Sequence, residues 1–196
     1  MEEIKKTYKK YRWFVTSSGK LVVGGKSAEQ NELLVKKILK SKRDLIMMHT
    51  SLPSSPFTVI LANLNKITEE DVEETAIFTA CFSQQWKKKK KKKKTKVDMF
   101  TSKQVDKKKG MKIGTFGVYG KISRKEVRLK LILCFQKGIL RAVPLKSFNQ
   151  VYKGRRIPKI VLEPGKIEKK ETALKIKDIL EKDKIKVKRE EIEQAI

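Results

Sequence analysis

The sequence predicts an α+β fold, in which a mixed, mostly antiparallel sheet packs against two or three helices. Short runs of apolar and β-branched residues recur along the 196-residue chain, and Gly, Pro and Ser turns separate them. Fewer segments have the 3.6-residue apolar spacing of a helix, or the nearly continuous apolar composition of a helix buried against a sheet. Because strands and helices are interspersed and no internal repeat is visible, we expect one sheet with helices packed on it.

The first predicted elements are a β-hairpin and a helix. Tyr11 to Thr16 is aromatic and β-branched, Ser17-Ser18-Gly19 favours a turn, and Leu21 to Val23 supplies a return strand. Ser27 is a good N-cap, and a Gln follows three residues later, which is the spacing of a capping box. A helix is therefore predicted from Ala28 to Lys40.

The connection between this hairpin and the helix, Gly24-Gly25-Lys26, has the composition of an anion site. Two residues without side chains precede a helix whose first N–H groups have no internal partner, and the helix dipole and Lys26 add positive charge. We expect Gly24 and Gly25 to point outward into a shallow basic depression that holds a phosphate. The alternative is that they form only a tight connection, since a lone glycine pair is a weak signal.

The remaining elements follow from apolar runs and turn residues. Strands are predicted at residues 44–50, 57–61, 96–105, 112–121, 126–135, 139–143 and 159–162. Helices are predicted from Thr68 to Gln85 or Trp86, briefly after Pro144, and from Glu168 to Lys182. We divide the chain into a domain at residues 1–165 and a C-terminal helix with a charged, marginal tail at residues 166–196.

Glycines and aromatic residues alternate in the predicted strand 112–121. Its three glycines indicate bulges or the close approach of another backbone. Phe116 and Tyr119 belong either to the buried face of the strand or to a surface that stacks nucleobases.

The net charge of the chain favours a polyanionic partner. Lys and Arg number 49 against 22 Asp and Glu, which gives a formal charge of +27. Removing the eight lysines of the run Lys87 to Lys94 from this charge leaves +19, so the whole chain is basic. Nucleic acid is the partner that such a surface favours. The run itself, at residues 87–94, is either a solvated linker or a mobile arm that binds polyanions.

Several classes of protein are disfavoured. No apolar run approaches the roughly 20 residues of a membrane span, and the N-terminus has no apolar signal region, so we predict a cytoplasmic protein with no membrane partner. Cys81 and Cys134 stand far apart in apolar surroundings, which is typical of reduced core cysteines. The chain has no P-loop and none of the other common catalytic motifs, so we predict no catalytic activity, metal or cofactor.

His49 is the only histidine of the chain, so neither a two-histidine metal site nor a histidine-based triad beside a cysteine has a second partner. It stands near the end of a predicted strand. A histidine in this position is either a hydrogen-bonded structural residue or a contact to a phosphate or base.

A spaced set of short motifs runs through residues 8–122. It comprises Trp13-Phe14, Ser17-Ser18-Gly19, Gly24-Gly25-Lys26, Asn31-Glu32, Asp44 to His49, Phe57 to Ile60, Ala80, Phe82-Ser83, Trp86, Val105 to Gly110 and Gly114-Thr115-Phe116. This order resembles the NFACT-R domain, the predicted RNA-binding module of the NEMF-type ribosome quality-control factors. The resemblance implies that module alone, similar to the standalone members, with the eight lysines as an insertion. Ser54-Ser55-Pro56-Phe57 stands where the family often has Gly-Ser-His, so a second histidine is absent.

We therefore predict an RNA-binding protein that contacts tRNA or ribosomal RNA, with the large ribosomal subunit as a further candidate partner and the oligomeric state open. The predicted RNA-binding residues are Arg12, Gly24, Gly25, Lys26, Asn31, Lys36, His49, Lys87, Lys88, Lys107, Lys108, Lys109 and Lys121. One alternative is a component or enzyme of a tRNA base-modification system, which a pocket joining Gly25, Asn31, Glu32 and His49 would favour and a flat basic face would not. The other alternative is an adaptor for DNA or for an acidic protein.

Overall fold

The computed structural model describes residues 1–87, 94–151, 158–165 and 167–196, and for residues 149–151 it describes the backbone only. The helices of this part are α1 Glu2–Thr7, α2 Ala28–Lys40, α3 Glu69–Cys81, α4 Leu145–Val151, α5 Lys169–Lys182 and α6 Arg189–Ala195. The strands are β1 Arg12–Val15, β2 Leu21–Gly24, β3 Ile46–Thr50, β4 Thr58–Ile60, β5 Lys94–Thr101, β6 Val105–Asp106, β7 Gly117–Val118, β8 Ser123–Arg128, β9 Leu131–Gln136, β10 Ile139–Val143 and β11 Val161–Leu162.

The strands form three sheets rather than the one sheet that we expected. A six-stranded sheet has the order β1-β2-β4-β3-β5-β8, a three-stranded sheet has the order β10-β9-β11, and β6 pairs with β7. Every strand pair recorded among the described residues is antiparallel. The predicted α+β class with mostly antiparallel pairing is confirmed.

The large sheet separates two hydrophobic cores. Successive side chains of a strand point to opposite faces, so Trp13 packs with the α2 core while Phe14 packs against Phe78 of α3. Met47 and Met48 are divided in the same way. Both faces are therefore covered, which explains why the central strands read as continuous apolar runs instead of alternating with polar residues.

The helix after the hairpin spans the predicted residues, Ala28–Lys40. The Ser27 hydroxyl accepts a hydrogen bond from the Gln30 backbone N–H at 3.2 Å. The Gln30 side chain accepts from the Lys26 N–H at 3.1 Å, one residue earlier than in a standard capping box. Local capping chemistry thus fixes where α2 begins.

The next helix is shorter than predicted. α3 ends at Cys81, and a separate 3₁₀ helix covers Gln84–Trp86. The Ser83 hydroxyl donates to the Ala80 carbonyl and accepts from the Gln85 N–H, so it closes one helix and caps the next. A serine can do both because its hydroxyl is both a donor and an acceptor.

Three predicted strands were also wrong in extent. The run 96–105 is interrupted, because a 3₁₀ helix at Ser102–Gln104 separates β5 from β6. The run 126–135 is divided between β8 and β9, which belong to different sheets. Only Gly117–Val118 of the predicted strand 112–121 is extended and paired. Gly114 has φ +76°, and a Cβ there would lie 2.9 Å from the Ala28 backbone, so the predicted close approach of another backbone occurs at this glycine.

The described part of residues 131–196, the C-terminal unit, packs on the α3 side of the large sheet. Its helices contribute Ala173, Ile176 and Leu180 of α5 to the same core as Phe14 and Phe78. The tail that we expected to be marginal forms α6, which buries Ile192 and Ala195 fully. The chain has one continuous core here, and the division at residue 165 stays a prediction.

Candidate nucleic-acid interface

The Gly24-Gly25 connection is packed tightly rather than open. Gly24 is paired with Arg12 on one side and Thr58 on the other, and both glycines are buried. A Cβ on Gly25 would lie 2.7 Å from the Asn31 backbone nitrogen and would also overlap the Asn31 side chain. The expected outward-facing depression is therefore not formed by these glycines, and the interpretation as a tight connection accounts for them.

Asn31 joins α2 to the loop that precedes β4. Its Oδ1 accepts from the Phe57 N–H at 3.0 Å, and its Nδ2 donates to the Ser55 carbonyl at 3.4 Å. The side chain is buried and both ends of its amide are engaged. Asn31 therefore fixes the loop before β4 against α2 from a buried position.

Glu32 is the anchor of the residues 107–116, which we call the basic loop. Its carboxylate receives hydrogen bonds from Lys107 Nζ and from the Gly114 N–H, both at 2.8 Å, and pairs with Lys36 at 3.0 Å. Burial acts to raise the pKa of Glu32, but these three partners lower it to about 2. Glu32 is thus an anion at neutral pH, and it fastens a cationic loop to α2.

The Lys107 ammonium is fully engaged in hydrogen bonds within the fold. Besides Glu32, its ammonium donates to the carbonyls of Lys112 at 2.7 Å and Thr115 at 3.0 Å, which uses all three of its N–H donors. Lys108, Lys109 and Lys112 are exposed on the same loop. Of the three predicted lysines, Lys107 is therefore bonded within the fold, while Lys108 and Lys109 are exposed to solvent. Lys112, which was not predicted, is exposed beside them.

Two aromatic residues, Phe116 at the end of the basic loop and Tyr119 beyond it, have different environments. Phe116 is buried, and its ring centre lies 5.4 Å from that of Phe57 in an edge contact, as expected for a residue on the buried face. Tyr119 is 45% exposed, donates from its hydroxyl to Asp106 at 3.0 Å, and lies 5.3 Å below the Lys108 ammonium. Tyr119 is thus an accessible ring beside exposed lysines.

His49 is held as a structural residue. Its Nδ1 lies 2.8 Å from the Thr50 carbonyl, and its ring packs against Phe57 at 4.6 Å. Burial lowers the pKa of His49, and hydrogen bonding to Thr50 and the Asp98 charge oppose this only in part. The imidazole is therefore neutral at pH 7, and this geometry favours the hydrogen-bonded alternative over a cationic phosphate contact.

A second group of cations gathers at the edge of β1, and we call Arg12, Lys26, Arg141 and Lys169 the cation cluster. Burial lowers the pKa of Lys26, and the charges of Arg141 and Arg12 lower it further. Burial also lowers the pKa of Lys169, to which the charges of Arg12 and Lys87 add. Of this cluster, the sequence alone indicated Arg12 and Lys26. It missed Arg141 and Lys169, because nothing local associates them with residues more than 100 positions away.

The other predicted residues are scattered. Lys36 is exposed and paired with Glu32, and Lys87 is exposed at the end of the 3₁₀ helix. Lys121 is exposed, and its carbonyl accepts from Gln104 at 2.8 Å. Lys88 lies outside the described residues, as does most of the lysine run.

The described residues offer little to a metal or a nucleophilic reaction. Within them, no three His, Cys, Asp or Glu side chains are grouped as metal ligands. Burial raises the pKa of the Cys81 thiol, and Cys134 is also buried, so neither is an exposed thiolate. Among the helices of this part, none has the length and apolar character needed to cross a membrane.

An α+β domain with so many exposed cations has the character of a nucleic-acid-binding module. A family model described as the NFACT protein RNA binding domain matches residues 10–120. The chain belongs to this family, as its motifs predicted. All of β8 and the whole C-terminal unit lie beyond the matched residues.

Two curated relatives are much longer than this chain. The archaeal Rqc2 homolog aRqcH of Methanocaldococcus jannaschii is 39% identical over 83 residues, which are 42% of this chain and 12% of that protein. The ribosome quality control complex subunit 2 of Schizosaccharomyces pombe is 28% identical over 166 residues, which are 82% of this chain and 16% of that protein.

A solved structure also matches. The C-terminal part of the fibronectin/fibrinogen-binding protein from Streptococcus suis aligns with a TM-score of 0.49 and 25% identity. The alignment covers 60% of this chain and 44% of that chain.

Proposed function

We propose that this protein is a cytoplasmic RNA-binding module that contacts tRNA or ribosomal RNA and takes part in ribosome-associated quality control. Its family and its formal charge of +27 support RNA as the partner. The two curated relatives, a Rqc2 homolog and a quality-control complex subunit, support the setting. The large ribosomal subunit is a further candidate partner.

The observation that carries this proposal is the fixed position of the basic loop. Lys107 and Gly114 both bond to Glu32, so the exposed Lys108, Lys109 and Lys112 project from a loop that is held at two points. A loop that is already ordered loses less conformational entropy when it binds. Its lysines suit the phosphate backbone, while the exposed Tyr119 ring offers a surface on which a base can stack.

The same contacts support binding rather than catalysis. A common pocket joining Gly25, Asn31, Glu32 and His49 would favour the tRNA-modification alternative. Asn31 and His49 instead bond to backbone groups, and Glu32 bonds to Lys107 and Gly114. These side chains have little capacity left for a substrate, so RNA recognition by the exposed surface is the better-supported function.

The test compares two triple variants with the same change in charge. One carries Lys108→Gln, Lys109→Gln and Lys112→Gln; the control carries Lys182→Gln, Lys184→Gln and Lys186→Gln, three exposed lysines near the C-terminus. Binding of a tRNA and of a ribosomal RNA fragment is measured from 50 to about 300 mM salt. We expect the loop variant to reduce the slope of log K against log salt by up to about 2, at roughly 0.7 per lost phosphate contact on single strands.

Equal slopes for the loop variant and the control variant would show that the basic loop is not part of the RNA surface. Duplex DNA serves as the competitor in the same titrations. A parent protein that binds duplex DNA as tightly as both RNAs would favour the DNA-adaptor alternative instead.

A further inference from the structure

The C-terminal unit covers the exposed edge of the large sheet with side chains. β1 is an edge strand, so half of its backbone groups lack a neighbouring strand. Gln136 accepts from the Val15 N–H at 2.7 Å and donates to the Val15 carbonyl at 2.8 Å. Arg141 donates from Nε to the Trp13 carbonyl at 3.2 Å. The three-stranded sheet is thereby fixed beside β1, where Arg12 begins the strand.

Arg141 is a buried cation without a recorded counter-ion. It is 6% exposed, its guanidinium lies 5.0 Å from the centre of the Trp13 ring, and only its Nε has a recorded acceptor. A guanidinium carries five N–H donors in a planar fork. Burial and the nearby Arg12 charge lower the pKa of Arg141 to about 10, which still leaves it charged at pH 7.

Arg12 begins the strand beside which Arg141 lies, and its side chain is on the α3 side of that strand. Its guanidinium lies 4.5 Å from the centre of the Phe82 ring, and burial lowers its pKa. Lys26, two residues beyond the Gly24 that pairs with Arg12, is close enough for both arginine charges to act on it. The Trp13 carbonyl that Arg141 contacts belongs to the residue after Arg12, and Gly24, which pairs with Arg12, stands two residues before Lys26, so three separate segments bring these cations to the same end of β1.

No carboxylate among the described residues pairs with this group. The ion pairs recorded there include none that involves Arg12, Lys26, Arg141 or Lys169. The Glu193 charge acts to raise the pKa of Lys169, but the Glu193 carboxylate already accepts a hydrogen bond from Arg189 at 2.7 Å. A buried guanidinium without a counter-ion is costly, so Arg141 and the more exposed cations beside it are suited to an anion from outside the chain.

We propose that Arg12, Lys26 and Arg141, with Lys169 at the rim, form a binding site for a phosphate group of RNA. The site deepens the proposed function and rests on it, since RNA is the expected source of the phosphate. Arginine suits this role because its planar donors match phosphate oxygens, and aromatic faces such as Trp13 and Phe82 hold it in place.

The site joins the family domain to the segment beyond it. Arg12 and Lys26 lie within the matched residues 10–120, whereas Arg141 and Lys169 lie outside them. The C-terminal unit therefore contributes directly to phosphate binding, in addition to covering the sheet edge.

The first measurement uses inorganic phosphate as the probe. The melting temperature of the full chain is followed as phosphate replaces chloride at constant ionic strength, for the parent, Lys26→Gln, Arg141→Gln and the control Lys184→Gln. We expect phosphate to stabilise the parent and Lys184→Gln, and to have little effect on Lys26→Gln. Lys26 is the more reliable variant because its side chain is exposed and makes no recorded hydrogen bond, so the change leaves packing intact.

The second measurement uses one ten-nucleotide RNA with either a 5′-phosphate or a 5′-hydroxyl. Loss of a charged hydrogen bond predicts roughly tenfold weaker binding for Lys26→Gln. If both RNAs are weakened alike, the site holds an internal phosphodiester. If only the phosphorylated RNA is weakened, it holds the terminal group.

The two measurements separate failure of this site from failure of the proposed function. A parent that is stabilised by phosphate but binds no RNA would overturn the RNA function and leave an anion site of another kind. A Lys26→Gln variant that matches the parent in both measurements would overturn the site, whatever the basic loop variant does.

Discussion

The basic loop and the cation cluster are both rich in positive charge, but they differ in what balances it. At the basic loop, the Glu32 carboxylate of α2 forms ion pairs with Lys107 and Lys36 and accepts a hydrogen bond from the Gly114 N–H. In the cation cluster, Arg12 and Arg141 rest against aromatic rings, with no recorded carboxylate partner among the described residues. The internally paired cation serves the fold, and the unpaired cations remain available to a ligand, so charge alone does not identify a binding residue.

The largest effect should come from breaking the internally balanced site. Glu32→Gln removes the charge that Lys107 faces in a largely buried position, where the side chains of Glu32 and Lys107 are 12% and 17% exposed. Breaking a buried pair by removing one partner costs about 3 kcal/mol. We expect that loss in the free energy of unfolding, measured by urea denaturation.

The matched control is Glu190→Gln, an exposed acid in the first turn of α6. It should change the same free energy by no more than about 0.5 kcal/mol. If Glu32→Gln were equally mild, the basic loop would not depend on its anchor.

The pH dependence of stability gives an intermediate effect from the same carboxylate. The pKa of Glu32 in the folded protein is about 2, below the value of about 4.3 for an unperturbed Glu. Its stabilising contribution is therefore fully present above about pH 4.5 and is lost as the pH falls towards 2. We expect the difference in unfolding free energy between the parent and Glu32→Gln to shrink steadily across this range. A difference that stays constant from pH 6 to pH 2.5 would contradict the assignment.

The smallest effect should come from the cation cluster in the absence of RNA. Lys26→Gln removes one of three mutually repelling charges and breaks no recorded side-chain hydrogen bond. We expect the free energy of unfolding to stay within about 0.5 kcal/mol of the parent, with a slight increase favoured at low salt, where repulsion is least screened. A loss above 1 kcal/mol would mean that Lys26 has a structural partner, and the contrast with Glu32 would disappear.

Much of the fold could be predicted because local chemistry determines it. The α+β class, the hairpin around Ser17-Ser18-Gly19 and the helix Ala28–Lys40 all follow from turn residues, capping side chains and apolar spacing. The family motifs are likewise visible in the sequence. The predictions failed where a local pattern has two outcomes. The apolar run 126–135 reads as one strand, but it is shared between two sheets.

The sequence by itself determined the fold class, elements with clear local signals such as the helix Ala28–Lys40, the family and the basic character of this protein. Only the tertiary structure decided which cations are paired inside the fold and which have no recorded carboxylate partner among the described residues. Asn31 packs directly against Gly25, and Lys107 forms an ion pair with Glu32. Arg141 bonds to the Trp13 carbonyl, 128 positions away along the chain. Periodicity and capping act over a few residues, whereas the balance of a buried charge depends on whichever groups folding brings beside it.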